Sequence, residues 1–493
     1  MRAVTSNGIP SEIRDLVERA LDTARAAGAT YADARYMEER SETVDVQDDR
    51  VQGIGRGSTA GIGIRAIADG CWGFAGTALL TPGDVEAAAK RAVEIAESSR
   101  ALMRAPLRLA GEPAHVATWS SPCREDPFEV PLDVKIATLL AATGAAKAVK
   151  RLSIAEGTID LWRRISLLHT SEGARIEQTI TQTGAGIRCI SVGDTEVQHR
   201  SYPNSFRGGF ACAGYEHVRA MNLADQAPRY AEEAVALHSA PECPSGETTL
   251  ILTPDQLGLQ IHESIGHPIE LDRVLGMEAA YAGTSFLTPA DRGKLRYGSD
   301  RITITADATI PGALGSFGYD DEGVAAQRTT IIRDGIFQDF ISSRETAPEI
   351  GGDRSNGTAR ASGWDVIPLV RMTNINLEPG DSSLDEMIET TDDGILMSTN
   401  QSWSIDDKRV NFQFGCEVAW EIRNGKRGRM LRNPNYAGRT VDFWTSCDAV
   451  GGPSEWIVWG TPNCGKGQPG QTARVAHGTS AGRFRGVRVG VRG

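Results

Sequence analysis

Helical and strand-like hydrophobic patterns alternate along this chain, and the alternation restricts the folds that it can adopt. Apolar residues recur at helical spacing in four segments, which are residues 10–27, 82–98, 132–150 and about 216–238. Two other segments, residues 31–77 and 153–203, alternate apolar with polar residues and are interrupted by glycine, as in strands joined by tight turns. The sequence therefore predicts an α+β fold that begins with a helix and continues into a small, curved antiparallel sheet.

A change of composition at residues 242–247, with the sequence ECPSGE, predicts the main domain boundary. It precedes a strand, TTLILT, and a helix that carries the segment HESIGH, and the chain beyond is rich in strands and glycine. We therefore divide the chain into an N-terminal domain of helices and antiparallel sheet, residues 1–240, and a β-rich C-terminal domain, residues 241–493. The alternating Val and Arg of residues 482–493 predict a final strand.

Charge and hydropathy exclude several classes of protein. The formal net charge is -12, so the molecule as a whole repels phosphate backbones, and nucleic acid is not an expected partner. No stretch reaches the ~18 consecutive apolar residues that span a bilayer, and the first twenty residues lack an apolar core of signal-peptide length. The 8 cysteines are scattered without CxxC pairs, which is typical of buried, reduced thiols. We expect a soluble, cytoplasmic protein.

The segment HESIGH contains the residue types of a hydrolytic zinc site. His262 and His267 offer imidazole ligands, and Glu263 offers a carboxylate that can take a proton from water. The histidines are five residues apart rather than four, so on a regular helix, at about 100° per residue, they diverge by about 140°. Two explanations remain open: the helix ends at His267 because Pro268 disfavours the α conformation there, or a π-bulge brings the two imidazoles together.

A third ligand must come from elsewhere in the chain, and spacing does not select it. The candidates are a carboxylate, a downstream cysteine or a further histidine: Glu270, Asp272, the cysteines after residue 267, and His477. Cys464 lies in a glycine-rich turn with Lys466 two residues later, where backbone amides and the ammonium group favour a thiolate. An inert buried thiol is the alternative interpretation of Cys464.

Five blocks of the chain resemble blocks of the TldD/PmbA metallopeptidases, and specifically of the TldD-type subunit that retains the HExxxH motif. They are RGSTAGIGIRAIADGCWGFAGT, PDQLGLQIHESIGHPIELDR, FGYDDEGVAAQRTTIIRDG, PLVRMTNINLEPG and NCGKGQPGQ. In that family the two motif histidines and the cysteine of the CGK block hold zinc, and the motif glutamate is the general base. The resemblance therefore implies Zn2+ as cofactor, His262, His267 and Cys464 as its ligands, and Glu263 as the catalytic base.

The resemblance also implies an architecture and a substrate class. The subunit would have an N-terminal α/β-type domain and a β-rich C-terminal metal domain, and would dimerise around an enclosed cavity. Its partner would be an identical chain or a metal-lacking TldE/PmbA-like subunit. Family members act on unfolded or short peptides, including modified peptide precursors, which main-chain strand pairing would hold extended. Two departures from the family are Pro268, where we expect glycine in relatives, and a shortened turn after Cys464.

Two other functions remain as alternatives. The chain could be a non-catalytic assembly or peptide-binding subunit, although retention of Glu263, which is not a ligand, argues against this. It could also be a zinc amidase that acts on a small metabolite, because the same ligands serve that reaction. No spacing argument identifies an oxyanion-stabilising group, for which Tyr319 and Arg344 are conceivable. The acidic run at residues 320–322 is more typical of a solvated loop than of a cation site.

Replacement of Cys464 by serine tests the ligand that depends most on the resemblance. We expect elemental analysis to find about one zinc per wild-type chain and much less in Cys464→Ser, because zinc is held by thiolate and a serine hydroxyl stays protonated. Cys123→Ser, outside every block quoted above, is the matched control. Unchanged zinc in Cys464→Ser would remove this residue from the site, and a wild type that cannot be loaded with zinc would favour the non-catalytic alternative.

Overall fold

The computed structural model describes residues 8–490. Its α-helices are α1 Ser11–Ala26, α2 Pro82–Ser99, α3 Leu132–Lys147, α4 Glu216–Ala220, α5 Leu223–Ala236, α6 Pro254–Ile261, α7 Leu271–Val274, α8 Leu384–Glu389 and α9 Thr440–Thr445. A π-helical turn, His262–Gly266, follows α6 directly. Within the described range, no helix has the length and apolar character needed to cross a membrane. Residues 1–7 and 491–493, which the sequence assigned to the N-terminal domain and the final strand, lie outside the described part.

The N-terminal half contains one eight-stranded sheet. Its strands are β1 Tyr31–Gln47, β2 Arg50–Ala68, β3 Cys71–Thr77, β4 Val116–Ser120, β5 Ile154–Thr170, β6 Arg175–Val192, β7 Val197–Tyr202 and β8 Gly209–Ala211. The order is β3-β2-β1-β5-β6-β4, β7 and β8 both pair with β6, and only β4 and β6 are parallel. The prediction of a small first sheet is wrong in size, because β1 pairs along its length with β2 on one side and β5 on the other.

Four helices cover this sheet. Buried apolar residues of α1 and α2 pack on the first part of β1, around Tyr36, whereas those of α3 and α5 pack on its last part, around Val44. The predicted helix over residues 216–238 is divided into α4 and α5. Asn222, at φ 49°, interrupts it with a left-handed residue, a conformation that asparagine tolerates better than most residues.

The C-terminal half is rich in strands, and together with the helices this confirms the predicted α+β class. Its strands are β9 Gly246–Leu252, β10 Ile304–Asp307, β11 Arg328–Arg333, β12 Ile336–Phe337, β13 Ala359–Arg360, β14 Leu369–Val370, β15 Ile375–Leu377, β16 Asp393–Ile405, β17 Asn411–Arg423, β18 Lys426–Leu431, β19 Asn435–Arg439, β20 Cys447–Val450, β21 Ile457–Lys466, β22 Gln471–Thr479 and β23 Gly482–Val489. The predicted final strand is present as β23. The division into domains at residue 240 stays a prediction.

Five of these strands close into a barrel. In the sheet of order β16-β9-β23-β19-β17-β18, the additional pairing of β16 with β17 joins the ends of a five-strand ring. Apolar residues of the barrel, including Phe414, Tyr436 and Phe484, share one core with Ile261 of α6 and Ile265 of the π turn. The histidine-bearing segment is therefore packed against a closed barrel. The hairpin of β21 and β22 is a separate two-stranded sheet beside the barrel.

Buried and half-buried charge pairs connect the two halves. Arg200 of β7 contacts Glu417 of β17 at 2.9 Å, and Arg474 of β22 contacts Glu39 of β1 at 2.9 Å. The acidic turn also belongs to this junction: Asp320 accepts three backbone N–H bonds, and Glu322 pairs with Arg65 of β2 at 3.2 Å. Asp320 and Glu322 are buried, so the expectation of a solvated loop is wrong for both.

Replacement of Gly460 by alanine should loosen the contact between the halves. A Cβ at this position of β21 would lie 2.2 Å from the carbonyl oxygen of Phe210 in β8. Because both strands meet here through their backbones, neither can easily move away to relieve the clash. We expect a lower apparent melting temperature, corresponding to about 1–3 kcal/mol of overpacking. Gly144→Ala in α3, whose Cβ would meet nothing within 4 Å, should be neutral or raise it, since alanine favours helix by up to ~1 kcal/mol. Equal melting temperatures for the two variants would contradict this packing.

Candidate metal centre

A five-residue backbone turn brings His262 and His267 together. The His267 N–H donates to the His262 carbonyl at 3.2 Å, which is the bond of a π turn. The imidazole rings lie 4.9 Å apart at 88°. Of the two explanations that the sequence left open, the structure shows the π turn. His267 keeps an α conformation, at φ -68° and ψ -41°, so the expectation that Pro268 would force it out of that region is wrong.

Gly266 gives the turn its close packing. A Cβ on Gly266 would lie 2.2 Å from the sulfur of Met372, so a side chain here would push the turn away from the core. The π-helical hydrogen bonding ends at His267, because Pro268 has no backbone N–H that could continue it.

Cys464 of β21 completes the cluster. The donor atoms of His262, His267 and Cys464 lie within 4.8 Å of one another, and the Cys464 sulfur is 3.9 Å from Nε2 of His267. Zinc bonds of about 2.0–2.3 Å place tetrahedral ligand atoms roughly 3.5 Å apart. All three side chains are buried, and two nitrogens with one sulfur are a donor set that suits zinc.

Two neighbouring groups orient the imidazoles. Nδ1 of His262 lies 2.8 Å from Nε2 of His477, whose own Nδ1 lies 3.1 Å from the Ile375 carbonyl. The Nδ1–H of His477 must donate to that carbonyl, so Nε2 of His477 accepts a hydrogen bond from the Nδ1–H of His262. Nε2 of His262 therefore keeps a lone pair that can bind a metal. Likewise Nδ1 of His267 lies 2.9 Å from Glu270. His477 and Glu270, which the sequence offered as third ligands, therefore support the histidines, an arrangement typical of metal sites.

Lys466 lies in a buried cage of carboxylates rather than beside the thiol. Its ammonium group is 2.7 Å from Asp272, 3.2 Å from Glu270 and 3.9 Å from Glu278. The expectation that Lys466 favours the Cys464 thiolate is not supported by these contacts. Asp272, another candidate ligand, has Lys466 as its partner and lies outside the group of converging donors.

The local charges prepare the cluster for a cation. Burial raises the pKa of the Cys464 thiol, but the positive charges of His262 and Arg371 outweigh it and hold that pKa well below its usual 9.0. Burial lowers the pKa of His267 well below 6.5, so its imidazole is neutral. Burial also lowers the pKa of His262, but the Cys464 thiolate outweighs this and raises it above 6.5. A metal therefore finds a thiolate, one free imidazole and one imidazole whose proton it must displace.

The three donor atoms lie in a cleft of about 370 Å³. Its walls are Phe206, Leu259, His262, Glu263, His267, Trp403, Ser404, Ile405, Arg409, Thr461, Asn463, Cys464 and Gly465. Glu263 forms an ion pair with Arg409 and is not among the converging donors. Phe206 also borders a second cavity of about 610 Å³ at the junction of the two halves.

The structure separates the conceivable oxyanion groups from this cleft. The ring of Tyr319 contacts that of His115, with centroids 5.2 Å apart and planes tilted by 50°, and Arg344 pairs with Glu172 at 2.7 Å. Neither residue lines the cleft. Arg409 does line the cleft, and sequence reasoning missed it. It lies in the turn IDDKRVN, which matches no motif. The one available signal was that the residues around it are typical of a hairpin.

Sequence comparison gives matches over most of the chain. Models for the PmbA/TldA metallopeptidases match in three parts: domain 1 at residues 32–96, the central domain at 125–238 and the C-terminal domain at 245–490. A metalloprotease of Methanocaldococcus jannaschii is 31% identical over 91% of this chain and 94% of its own length. A protein of Saccharolobus solfataricus named zinc metalloprotease TldD homolog is 26% identical over 50% of this chain and 52% of its own length.

A solved structure shares the fold. That of TldE from Thermococcus kodakarensis superposes with a TM-score of 0.72, covering 96% of this chain and 99% of its own, at 17% sequence identity. At this identity the similarity concerns the fold alone.

The pKa directions predict how zinc affinity depends on pH. Below the pKa of His262, which lies above 6.5, a proton must leave before Nε2 binds, so affinity should fall about tenfold per pH unit. Because the pKa of the Cys464 thiol is held well below its usual 9.0, the thiol should add no second proton to this dependence. Competition with a chromophoric chelator from about pH 6 to 9 measures the slope. A change of about a hundredfold per pH unit would show that the thiol must also lose a proton and has an ordinary pKa.

Proposed function

The chain belongs to the TldD/PmbA metallopeptidase family, and from that premise we propose that it is a zinc-dependent peptidase. The observation that carries the proposal is the convergence of His262, His267 and Cys464 in a cleft, with Glu263 beside them but outside the donor group. We assign the three converging residues as zinc ligands and Glu263 as the catalytic base. The name of the Saccharolobus relative supports zinc as the metal.

Hydrolysis would use the chain's own groups in a simple order. Zinc, when bound, would polarise the scissile carbonyl and lower the pKa of a water at its open position toward ~7. Glu263 takes the proton of the attacking water and later passes it to the leaving amine. His477 and Glu270 hold the imidazoles of His262 and His267 in place. A thiolate ligand donates charge, so the reaction depends more on how the substrate is positioned.

The shape of the cleft favours an extended peptide as substrate. It lies between residues 403–405 of β16 and residues 461–465 of β21. Strand β21 pairs with β22 on one side, and no other strand pairing of β21 occurs among the described residues. Its outer edge can therefore pair with the main chain of an unfolded or short peptide, including a modified precursor. A small amide would use little of this length, which argues against the metabolite amidase.

The assembly and the compartment complete the proposal. We further propose a dimer that encloses the cleft, formed with a TldE/PmbA-like subunit, whose fold this chain shares, or with a second copy of this chain. We propose a cytoplasmic enzyme that admits only chains without stable structure. The rival function, a non-catalytic assembly or peptide-binding subunit, does not explain a carboxylate held beside the metal donors.

Glu263→Gln should abolish turnover but leave the metal bound. We expect cleavage of unstructured fluorogenic peptides to fall about 10²- to 10⁴-fold, because the amide cannot accept the water proton. Zinc content should stay at the wild-type level, since Glu263 is not a ligand. Glu247→Gln, at an exposed position of β9, is the matched control and should be fully active.

A panel of small amides assayed alongside separates the remaining functions. Cleavage of small amides in preference to peptides would favour the amidase. Zinc-loaded wild type, assayed with and without a TldE/PmbA-like partner, that cleaves neither class would favour the non-catalytic function.

A further inference from the structure

Arg409 occupies a tightly held turn at the edge of the cleft. It lies in the hairpin between β16 and β17, with a left-handed backbone at φ 64°. The Asp406 carboxylate accepts the N–H groups of Val410 and Asn411 at 2.9 Å each, and the Thr440 hydroxyl donates to the Arg409 carbonyl at 2.6 Å. Glycine or asparagine would adopt this backbone with less strain, so a bulky residue here indicates a role for its side chain.

The side chain of Arg409 is directed into the cleft. It is 13% exposed and one of its terminal nitrogens pairs with Glu263, whereas the adjacent Lys408 is exposed to solvent. The guanidinium Nε is buried without a hydrogen-bond partner. A buried donor without a partner is costly in a folded protein, and at a functional site it suggests a ligand that is bound during the reaction.

Peptide hydrolysis requires a group of this kind. When water attacks, the carbonyl π electrons move to oxygen, and the resulting negative charge must be stabilised. Glu263 is the proton acceptor, and the conceivable donors suggested by the sequence, Tyr319 and Arg344, lie outside the cleft. Arg409 is the arginine among the residues that line the cleft, and the Nε–H of the same guanidinium group is a spare donor.

We propose that Arg409 is a catalytic residue that donates a hydrogen bond to the oxyanion of the scissile peptide. This rests on the proposed peptidase function. The water oxygen bonds to the carbonyl carbon, its proton goes to Glu263, and the carbonyl oxygen becomes an anion that accepts from Arg409. The C–N bond then breaks as the C=O bond re-forms, and the proton on Glu263 goes to the amine. No oxidant or further reactant is needed.

A simpler alternative is that Arg409 only positions Glu263 through their ion pair. The two roles differ once the ion pair has been removed. In a Glu263→Gln background a positioning residue has lost its partner charge, whereas an oxyanion donor still distinguishes a tetrahedral, anionic ligand from a planar one.

The experiment compares two ligands in that background. The first is a phosphinic peptide, whose tetrahedral P–O⁻ group imitates the oxyanion. The second is the substrate peptide of the same sequence, which stays intact because Glu263→Gln abolishes turnover. Arg409→Gly is the informative substitution, because glycine suits the left-handed turn. Dissociation constants are measured by calorimetry on full-length, zinc-loaded protein, with zinc content and melting temperature determined for every variant. Lys408→Ala is the matched control.

We expect Arg409→Gly in the Glu263→Gln background to weaken phosphinate binding about 100-fold and substrate binding by no more than about threefold. In otherwise wild-type protein, the loss in kcat/KM should match the loss in phosphinate affinity. Unchanged phosphinate affinity, or equal weakening of both ligands, would overturn the proposal. A zinc-loaded wild type that neither cleaves unstructured peptides nor binds the phosphinate would instead refute the peptidase function.

Discussion

The geometry of the site depends on one backbone hydrogen bond, from the His267 N–H to the His262 carbonyl. In a regular helix each N–H pairs with the fourth residue before it, and the two imidazoles would point in different directions. The π turn widens the helix by one residue for a single turn and places both on one side. It is supported by Ile265 in the core and by the contact of Gly266 with Met372. Such turns interrupt the regular backbone hydrogen bonding of an α-helix, and they are frequent at functional sites.

Charge around the cluster is arranged in layers. The innermost layer is the Cys464 thiolate with the two imidazoles. Around it, Glu270 accepts from His267, and Lys466 compensates Glu270 together with two further carboxylates. On the open side, Arg409 compensates Glu263. Few of these charges are solvated, so each depends on its partner, and removing one would leave another buried without compensation.

Periodicity predicted α1, α2, α3 and the segment of α4 and α5, and it indicated strands over residues 31–77 and 153–203, because the apolar residues of each element are spaced to face a core. The short helices α7, α8 and α9 were not predicted, and the C-terminal half was predicted only in outline, as rich in strands. Periodicity did not show that β1 would pair on both sides, since strand partners distant in the sequence leave no local signal. The break at Asn222 was missed for a related reason: one left-handed residue hardly alters the apolar pattern of α4 and α5. In the site, HESIGH identified His262, Glu263 and His267, and the π turn was one of two conformations considered. Cys464 was one of several candidate ligands, and only the family resemblance selected it, because about 200 residues separate it from the histidines.

The closed barrel and the hairpin beside it contribute different parts of the site. The segment with His262, Glu263 and His267 packs on the barrel core, whereas Cys464, Lys466 and His477 all lie on β21 and β22. A closed ring has no unpaired edge, so its strands need nothing from the hairpin to complete their hydrogen bonds. Changes of length in the tip of the hairpin, at residues 467–470, can therefore accumulate during evolution without disturbing the barrel. Substrate preference can diverge among descendants while the histidine scaffold is inherited intact.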